Sequence, residues 1–141
     1  MGFGEAVKTC LSKYVTFSGR ARRSEFWWFY LFLIIVSFVA SLLDAMLGLQ
    51  VMTTTTTEGT TAFVYNPGWI QTVVGLAFIL PWLAVTVRRL HDKDATGWWW
   101  WLNLICCIGP LVLLFMFYVQ EGTAGPNRYG PDPKGQEPVT A

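Results

Sequence analysis

The sequence predicts an all-α, polytopic membrane protein with three transmembrane helices preceded by an amphipathic interfacial helix. Of its 141 residues, 53% are hydrophobic and only 13% are charged, whereas a soluble domain carries about 25% charged residues. The apolar residues also form three long runs, at residues 26–47, 69–87 and 98–119. At about 1.5 Å per helical residue, the runs are about 28 to 33 Å long, close to the roughly 30 Å of a hydrocarbon core.

The interfacial helix is predicted over residues 5–17, where apolar side chains recur at helical spacing. Its apolar face consists of Ala6, Val7, Cys10, Leu11, Tyr14 and Phe17. Such a face suits a helix that lies in the plane of the membrane interface. The same face also suits a helix packed on the rest of the protein, and the pattern does not separate the two.

The first two spans have distinct ends. An aromatic cluster at residues 26–30 opens the first span, as expected for rings at the lipid headgroups, and Asp44 lies within a turn of its far end. The connector at residues 48–68 is predicted to be an exposed loop, although its threonine run favours extended backbone. The second span leads into the charged run at residues 88–94, which we interpret as a turn between spans.

The third apolar run has two interpretations, because Gly109-Pro110 falls near its middle. One kinked span is favoured, since irregular backbone at membrane depth is tolerated only where protein buries it. The alternative is a helical hairpin that returns to the side it came from. Residues 1–134 then form a single membrane domain, and residues 135–141 are predicted to be a disordered tail.

Orientation follows from the basic residues. Five precede the first span, none lies in the connector, three lie in the second loop and two in the tail. The positive-inside rule places the N-terminus and the second loop in the cytoplasm. With three spans the tail lies outside, where Arg128 becomes a candidate partner for Asp44. With a hairpin the tail lies inside, and the tail can join Arg20 and Arg88 only in that arrangement.

Arginines beside both cytoplasmic aromatic clusters form the candidate site. Guanidinium groups bind phosphate through paired hydrogen bonds, so we expect a site for an anionic headgroup or other phosphate. Its candidate residues are Arg20, Arg22, Arg23, Arg88, Arg89 and His91, and the candidate ion-pair residues are Glu25, Asp92, Asp44 and Arg128. The same arginines could instead serve topology and salt bridges between helices, which is the more common role of arginines next to a membrane span.

The function classes are narrowed by what the chain lacks. A single histidine excludes a His-only metal site within one chain, and the three cysteines form no zinc or disulfide spacing. We expect no cofactor, no metal and no nucleic-acid partner, and a non-enzymatic accessory or structural role. Membrane lipids, especially anionic ones, are the expected partners, together with a second copy or another membrane protein.

Two other functions stay open. One is a small oligomeric transporter or channel, although no charge lies at mid-membrane to relay ions. The other is a lipid-modifying enzyme that uses His91 with Asp92 as an acid–base pair. The sequence identifies no nucleophile or oxyanion donor for it.

Three separated motifs resemble a known family. They are residues 19–27 (GRARRSEFW), residues 88–92 (RRLHD) with Gly97-Trp98-Trp99, and Gly122-Thr123 with residues 127–133 (NRYGPDP). In this order they resemble the small bacterial inner-membrane proteins grouped as domain-of-unknown-function family 805. The resemblance implies a polytopic inner-membrane protein with a cytoplasmic N-terminus, and it implies no activity or catalytic residue.

Overall fold

The computed structural model describes residues 2–105 and 107–135, apart from the side chains of residues 51–53. Most of the predicted 135–141 tail therefore lies outside the described residues. The α-helices and strands are α1 Phe3–Ser12, α2 Arg23–Met46, β1 Val51–Thr57, β2 Thr60–Asn66, α3 Trp69–Asp92 and α4 Ile108–Leu113. A 3-10 helix, Gly97–Leu104, precedes α4, and a π-helical turn, Leu114–Tyr118, follows it. The chain forms two compact units, one made of residues up to Leu31 and from Leu80 onward, the other of Phe32–Ile79.

Two of the described helices, α2 and α3, are long and apolar enough to cross a membrane by length and composition. Each has 24 residues, about 36 Å at 1.5 Å per residue. Helix α2 starts close to where the first span was predicted. Helix α3 continues past residue 87 to Asp92, so Arg88, Arg89 and Asp92 share its last turn and a half.

The prediction of a third transmembrane helix over residues 98–119 is not confirmed. The Trp99 and Phe117 rings are 5.5 Å apart, whereas 18 residues of continuous helix would separate them by about 27 Å. The segment doubles back after the 3-10 helix, and Cys107 has a positive φ of 62° at the reversal. Gly109 packs against the backbone carbonyl of Leu102, where a Cβ atom would overlap it. The segment is therefore a hairpin, the arrangement we considered less favourable.

Helix α1 is shorter than the predicted helix over residues 5–17, because Lys13 leaves helical geometry at φ −103° and ψ 37°. Its Ala6 and Cys10 are fully buried, and Phe3 meets Trp28 edge to face at 5.9 Å. One face of α1 thus packs on the start of α2. Its position at the membrane interface stays a prediction.

The Phe32–Ile79 unit contains the sheet that an all-α fold lacks. Strands β1 and β2 pair antiparallel across the two-residue turn Glu58-Gly59, both with positive φ. Such a turn matches the twist of a hairpin, and the β-branched threonines favour it over the predicted loop. In the same unit Asp44 is buried and accepts hydrogen bonds from the backbone N–H groups of Ile70 and Gln71 at 3.1 and 2.7 Å. Asp44 therefore caps the start of α3.

Candidate functional site

A buried ion pair joins the start of α2 to the end of α3. Arg88 Nη1 donates to Glu25 Oε1 at 2.5 Å, and both side chains are almost fully buried. The Cys10 thiol also donates to Glu25 Oε1, at 3.6 Å. Burial, with the negative charge of Glu25 nearby, raises the pKa of Cys10 to about 12. The thiol is therefore neutral at physiological pH and acts as a donor to the carboxylate.

A second buried group centres on Asp92, whose carboxylate is shared by two arginines. Arg20 approaches Oδ1 through Nε at 3.0 Å and Nη2 at 2.9 Å, while Arg89 Nη1 donates to Oδ2. All three side chains are at most 5% exposed. One carboxylate cannot neutralise two guanidinium groups, so further acceptors are needed to offset the cost of burying the second positive charge.

Backbone carbonyls of the tail supply those acceptors. Arg20 Nη1 donates to the Gly125 carbonyl at 2.6 Å and Nη2 to that of Thr123, while Arg89 Nη2 donates to that of Gln120. The Thr123 N–H in turn donates to the Asp92 carbonyl at 2.7 Å. The two arginines thereby fix residues 120–125 against the end of α3.

Gly122 is required where the tail packs against the end of α3, because a Cβ atom there would overlap the Asp92 carboxylate. Only glycine lets the tail backbone pass this close to the side chain. The Gly122-Thr123 motif is thus explained by the packing of the tail on Asp92.

The His91 side chain is held by the tail and by the segment before α2. Its ring stacks on Tyr129 with centroids 3.9 Å apart and planes 3° apart, and Nδ1 lies 3.1 Å from the Gly19 carbonyl. Asn127 Nδ2 donates to the His91 carbonyl at 2.9 Å. Arg128 pairs with Asp94, Nε to Oδ1 at 3.1 Å.

A cationic recess of about 540 Å³ lies beside this cluster, lined by Arg22, Arg23, Ser24, Trp27, Val119 and Lys134. Arg23 Nη1 donates to the Val119 carbonyl at 3.1 Å and Nη2 to Glu121 Oε1 at 2.7 Å. Lys134 Nζ donates to the same Glu121 oxygen at 3.0 Å. The Nε atom of Arg22 is buried and has no hydrogen-bond partner among residues 2–105 and 107–135. The recess therefore carries excess positive charge.

The structure divides the candidate residues from the sequence into two groups. Arg20, Arg88 and Arg89 are buried in internal pairs with Asp92 and Glu25, whereas Arg22 and Arg23 line the recess. The conditional pairing of Arg128 with Asp44 is wrong, because Arg128 binds Asp94 and Asp44 caps α3.

Sequence reasoning did not assign roles to Gln120, Gly122, Thr123, Asn127 and Tyr129. The signal that could have found them was present, since the tail motif is polar and aromatic and follows an apolar segment directly. Assigning their contacts also required knowing that the third segment doubles back.

Two apolar helices that are each long enough to cross a membrane, joined at one pair of ends by a buried ion pair, are typical of small helical membrane proteins. The chain belongs to the family described as "Protein of unknown function (DUF805)", whose model matches residues 14–131. This match confirms the resemblance that the three motifs indicated. All three motifs lie at the buried ion pairs of Glu25 and Asp92 or in the segments that surround them.

The relatives of the chain are inner membrane proteins. It is 47% identical over 124 residues to "Inner membrane protein YhaH" of Escherichia coli (strain K12), covering 88% of this chain and 92% of that protein. It is 42% identical over 124 residues to "Inner membrane protein YhaI" of the same strain, covering 88% and 91%. No solved structure matches the chain significantly. The relatives support an inner-membrane location for this protein.

Proposed function

We propose that this chain is a non-enzymatic, multi-pass inner-membrane protein that binds anionic lipid headgroups at its cytoplasmic surface through Arg22, Arg23 and Lys134. The observation that carries the proposal is the division of the arginines. Arg20, Arg88 and Arg89 are buried in internal ion pairs. Of the three cations that line the recess, only Arg23 and Lys134 are paired within the described part of the chain, and both bind the same exposed carboxylate, that of Glu121. The net positive charge that is left attracts phosphate.

Charge distribution supports the cytoplasmic orientation. Every one of the ten lysines and arginines lies in residues 1–25 or 88–134, and the connector at residues 48–68 contains none. The positive-inside rule then places the N-terminus, the end of α3 and the tail in the cytoplasm. Trp27, which lines the recess, is the kind of residue that lies at headgroup level in such proteins.

The contacts of His91 and Asp92 favour a non-enzymatic role. Both Asp92 oxygens accept from arginines, and His91 Nδ1 faces the Gly19 carbonyl, so the two side chains do not form an acid–base dyad. An oligomeric transporter could place Asp44 at one end of its path, but both Asp44 carboxylate oxygens are occupied in capping α3. Each residue that the alternative functions required thus has a structural task.

The experiment compares lipid binding to detergent-purified protein by native mass spectrometry. Phosphatidylglycerol and phosphatidylcholine with identical chains are the probes, and the wild-type protein should prefer phosphatidylglycerol. The double variant R22Q/R23Q should lose about thirtyfold in that affinity, since each cation near an anionic headgroup contributes about 1 kcal/mol.

The double variant K8Q/K13Q is the matched control, because it removes the same charge from α1 and the residue that follows it, and leaves the recess intact. The variant E121Q should act in the opposite direction and raise phosphatidylglycerol affinity about fivefold, by releasing Arg23 and Lys134. Equal losses in R22Q/R23Q and K8Q/K13Q would show that only net charge matters and would contradict the proposed site.

A further inference from the structure

An apolar recess of about 380 Å³ adjoins the cationic one. Its lining includes Trp27, Tyr30, Trp82, Leu111, Leu114 and Tyr118, contributed by α2, α3 and the hairpin. Trp27 lines both recesses, and its indole Nε1 donates to the Tyr118 carbonyl at 3.3 Å. The two recesses therefore meet at one side chain that the hairpin holds in place.

The order of residues along α2 gives the pair of recesses a direction. Trp27 and Tyr30 follow Arg23 by four and seven residues, about 6 and 10 Å along the helix axis. A ligand that fills both recesses thus has its anionic group at Arg22 and Arg23, and an apolar part that runs along α2 towards Tyr30. That is the shape and polarity of a membrane phospholipid.

We infer that the apolar recess holds one acyl chain of the anionic lipid whose headgroup occupies the cationic recess, so that a single lipid molecule is bound between α2 and the hairpin. The inference rests on the proposed headgroup site. Charge complementarity selects this occupant, because the recess opens beside cations that carry excess charge. In a bilayer the acyl chain gains no hydrophobic energy by leaving bulk lipid, so retention depends on packing and on the headgroup contacts.

A second apolar recess provides a comparison, because no described cation lines it. It has a volume of about 500 Å³ and is lined by Phe17, Leu83, Val87, Gly97, Trp98, Trp100 and Trp101. No lysine or arginine is among these described lining residues. It therefore offers contact to any lipid chain without selecting a headgroup, and it serves as an internal control.

The test uses phosphatidylglycerol and phosphatidylcholine probes that carry the same photoactivatable group in one acyl chain. The protein is reconstituted in vesicles of phosphatidylethanolamine and phosphatidylglycerol, and crosslinked residues are mapped by mass spectrometry. We expect the phosphatidylglycerol probe to label Leu111 and Leu114 about fivefold more than the phosphatidylcholine probe. Both probes should label Trp98 and Trp101 equally.

The variant L111W fills the apolar recess, and L104W, in the same hairpin but outside the recess, is its control. Labelling of Leu114 by the phosphatidylglycerol probe should fall about tenfold in L111W relative to L104W, because the added indole occupies the volume of the acyl chain. Equal labelling of Leu114 in both variants, with preference for phosphatidylglycerol retained, would overturn the acyl-chain site alone. Failure of the wild-type protein to distinguish the two probes in binding would remove the headgroup site and this inference together.

Discussion

The buried charge of Arg88 depends on a single carboxylate. Its Nη1 binds Glu25, while Nε and Nη2 are buried without a hydrogen-bond partner in the described part of the chain. Arg20 and Arg89, by contrast, share Asp92 and also donate to backbone carbonyls. Loss of Glu25 would therefore leave a fully buried guanidinium with no counter-charge.

The substitution E25Q should lower the free energy of unfolding in detergent by about 3–5 kcal/mol, the usual cost of removing one partner of a buried ion pair. Titration with a denaturing detergent, followed by tryptophan fluorescence, measures it. E121Q is the matched control, since its carboxylate is 63% exposed and solvent screens such surface pairs so that they contribute little to stability. Similar losses of stability in the two variants would mean that Glu25 does not compensate the buried positive charge of Arg88.

Cys10 should resist alkylation in the folded protein. Burial, followed by the charge of Glu25, raises its pKa from 9.0 to about 12, and only the thiolate is reactive. At pH 8 the thiolate fraction falls about a thousandfold relative to the unfolded chain. Maleimide labelling of a C106A/C107A variant, with and without denaturing detergent, compares the two states.

The raised pKa of Cys10 also makes the stability of the protein depend on pH. Because the folded pKa lies above the unfolded value, the neutral thiol's contribution to stability is complete below about pH 9 and is lost as the pH rises from 9 towards 12. Rapid alkylation of folded protein at pH 8 would contradict the buried contact with Glu25.

The tail is held by backbone contacts that only glycine permits. G122A places a Cβ atom against the Asp92 carboxylate, and overpacking of this kind costs about 1–3 kcal/mol. The tail should then detach, and trypsin should cleave faster after Arg128 and Lys134. G75A is the control, because nothing lies within 4 Å of the added Cβ in α3. Unchanged cleavage of G122A would argue against the packing of the tail on Asp92.

Hydropathy could locate the apolar segments but not their path. Residues 98–119 are as apolar as a span, yet the packing of Gly109 on Leu102 and of Trp99 on Phe117 folds them back. Those contacts depend on tertiary structure and leave no period in the sequence. The prediction that the connector is a loop was wrong for a related reason. Its threonine run lacks the alternating pattern of a strand, and the β-hairpin is specified by the Glu58-Gly59 turn.

The candidate site was predictable by residue type but not by pairing. The sequence identified the arginines beside the aromatic clusters as site candidates, and Glu25 and Asp92 as candidates for ion pairs, without assigning partners. Which arginines are buried depends on where the tail lies, because its carbonyls at Gln120, Thr123 and Gly125 complete the coordination of Arg20 and Arg89. A sequence without that placement cannot separate structural arginines from those at the recess.

The side of the membrane on which the tail lies tests the chain as a whole. Residues 120–125 bind Arg20 and Arg89, so the tail must share the side of the N-terminal segment and the end of α3. Single-cysteine variants S18C, T60C and A124C, made with Cys10, Cys106 and Cys107 replaced by alanine, can be labelled in spheroplasts with an impermeant maleimide. T60C should react in intact spheroplasts, and S18C and A124C only after permeabilisation. If A124C reacts like T60C, the third segment crosses the membrane, and the tail could not reach the buried arginines that need its carbonyls.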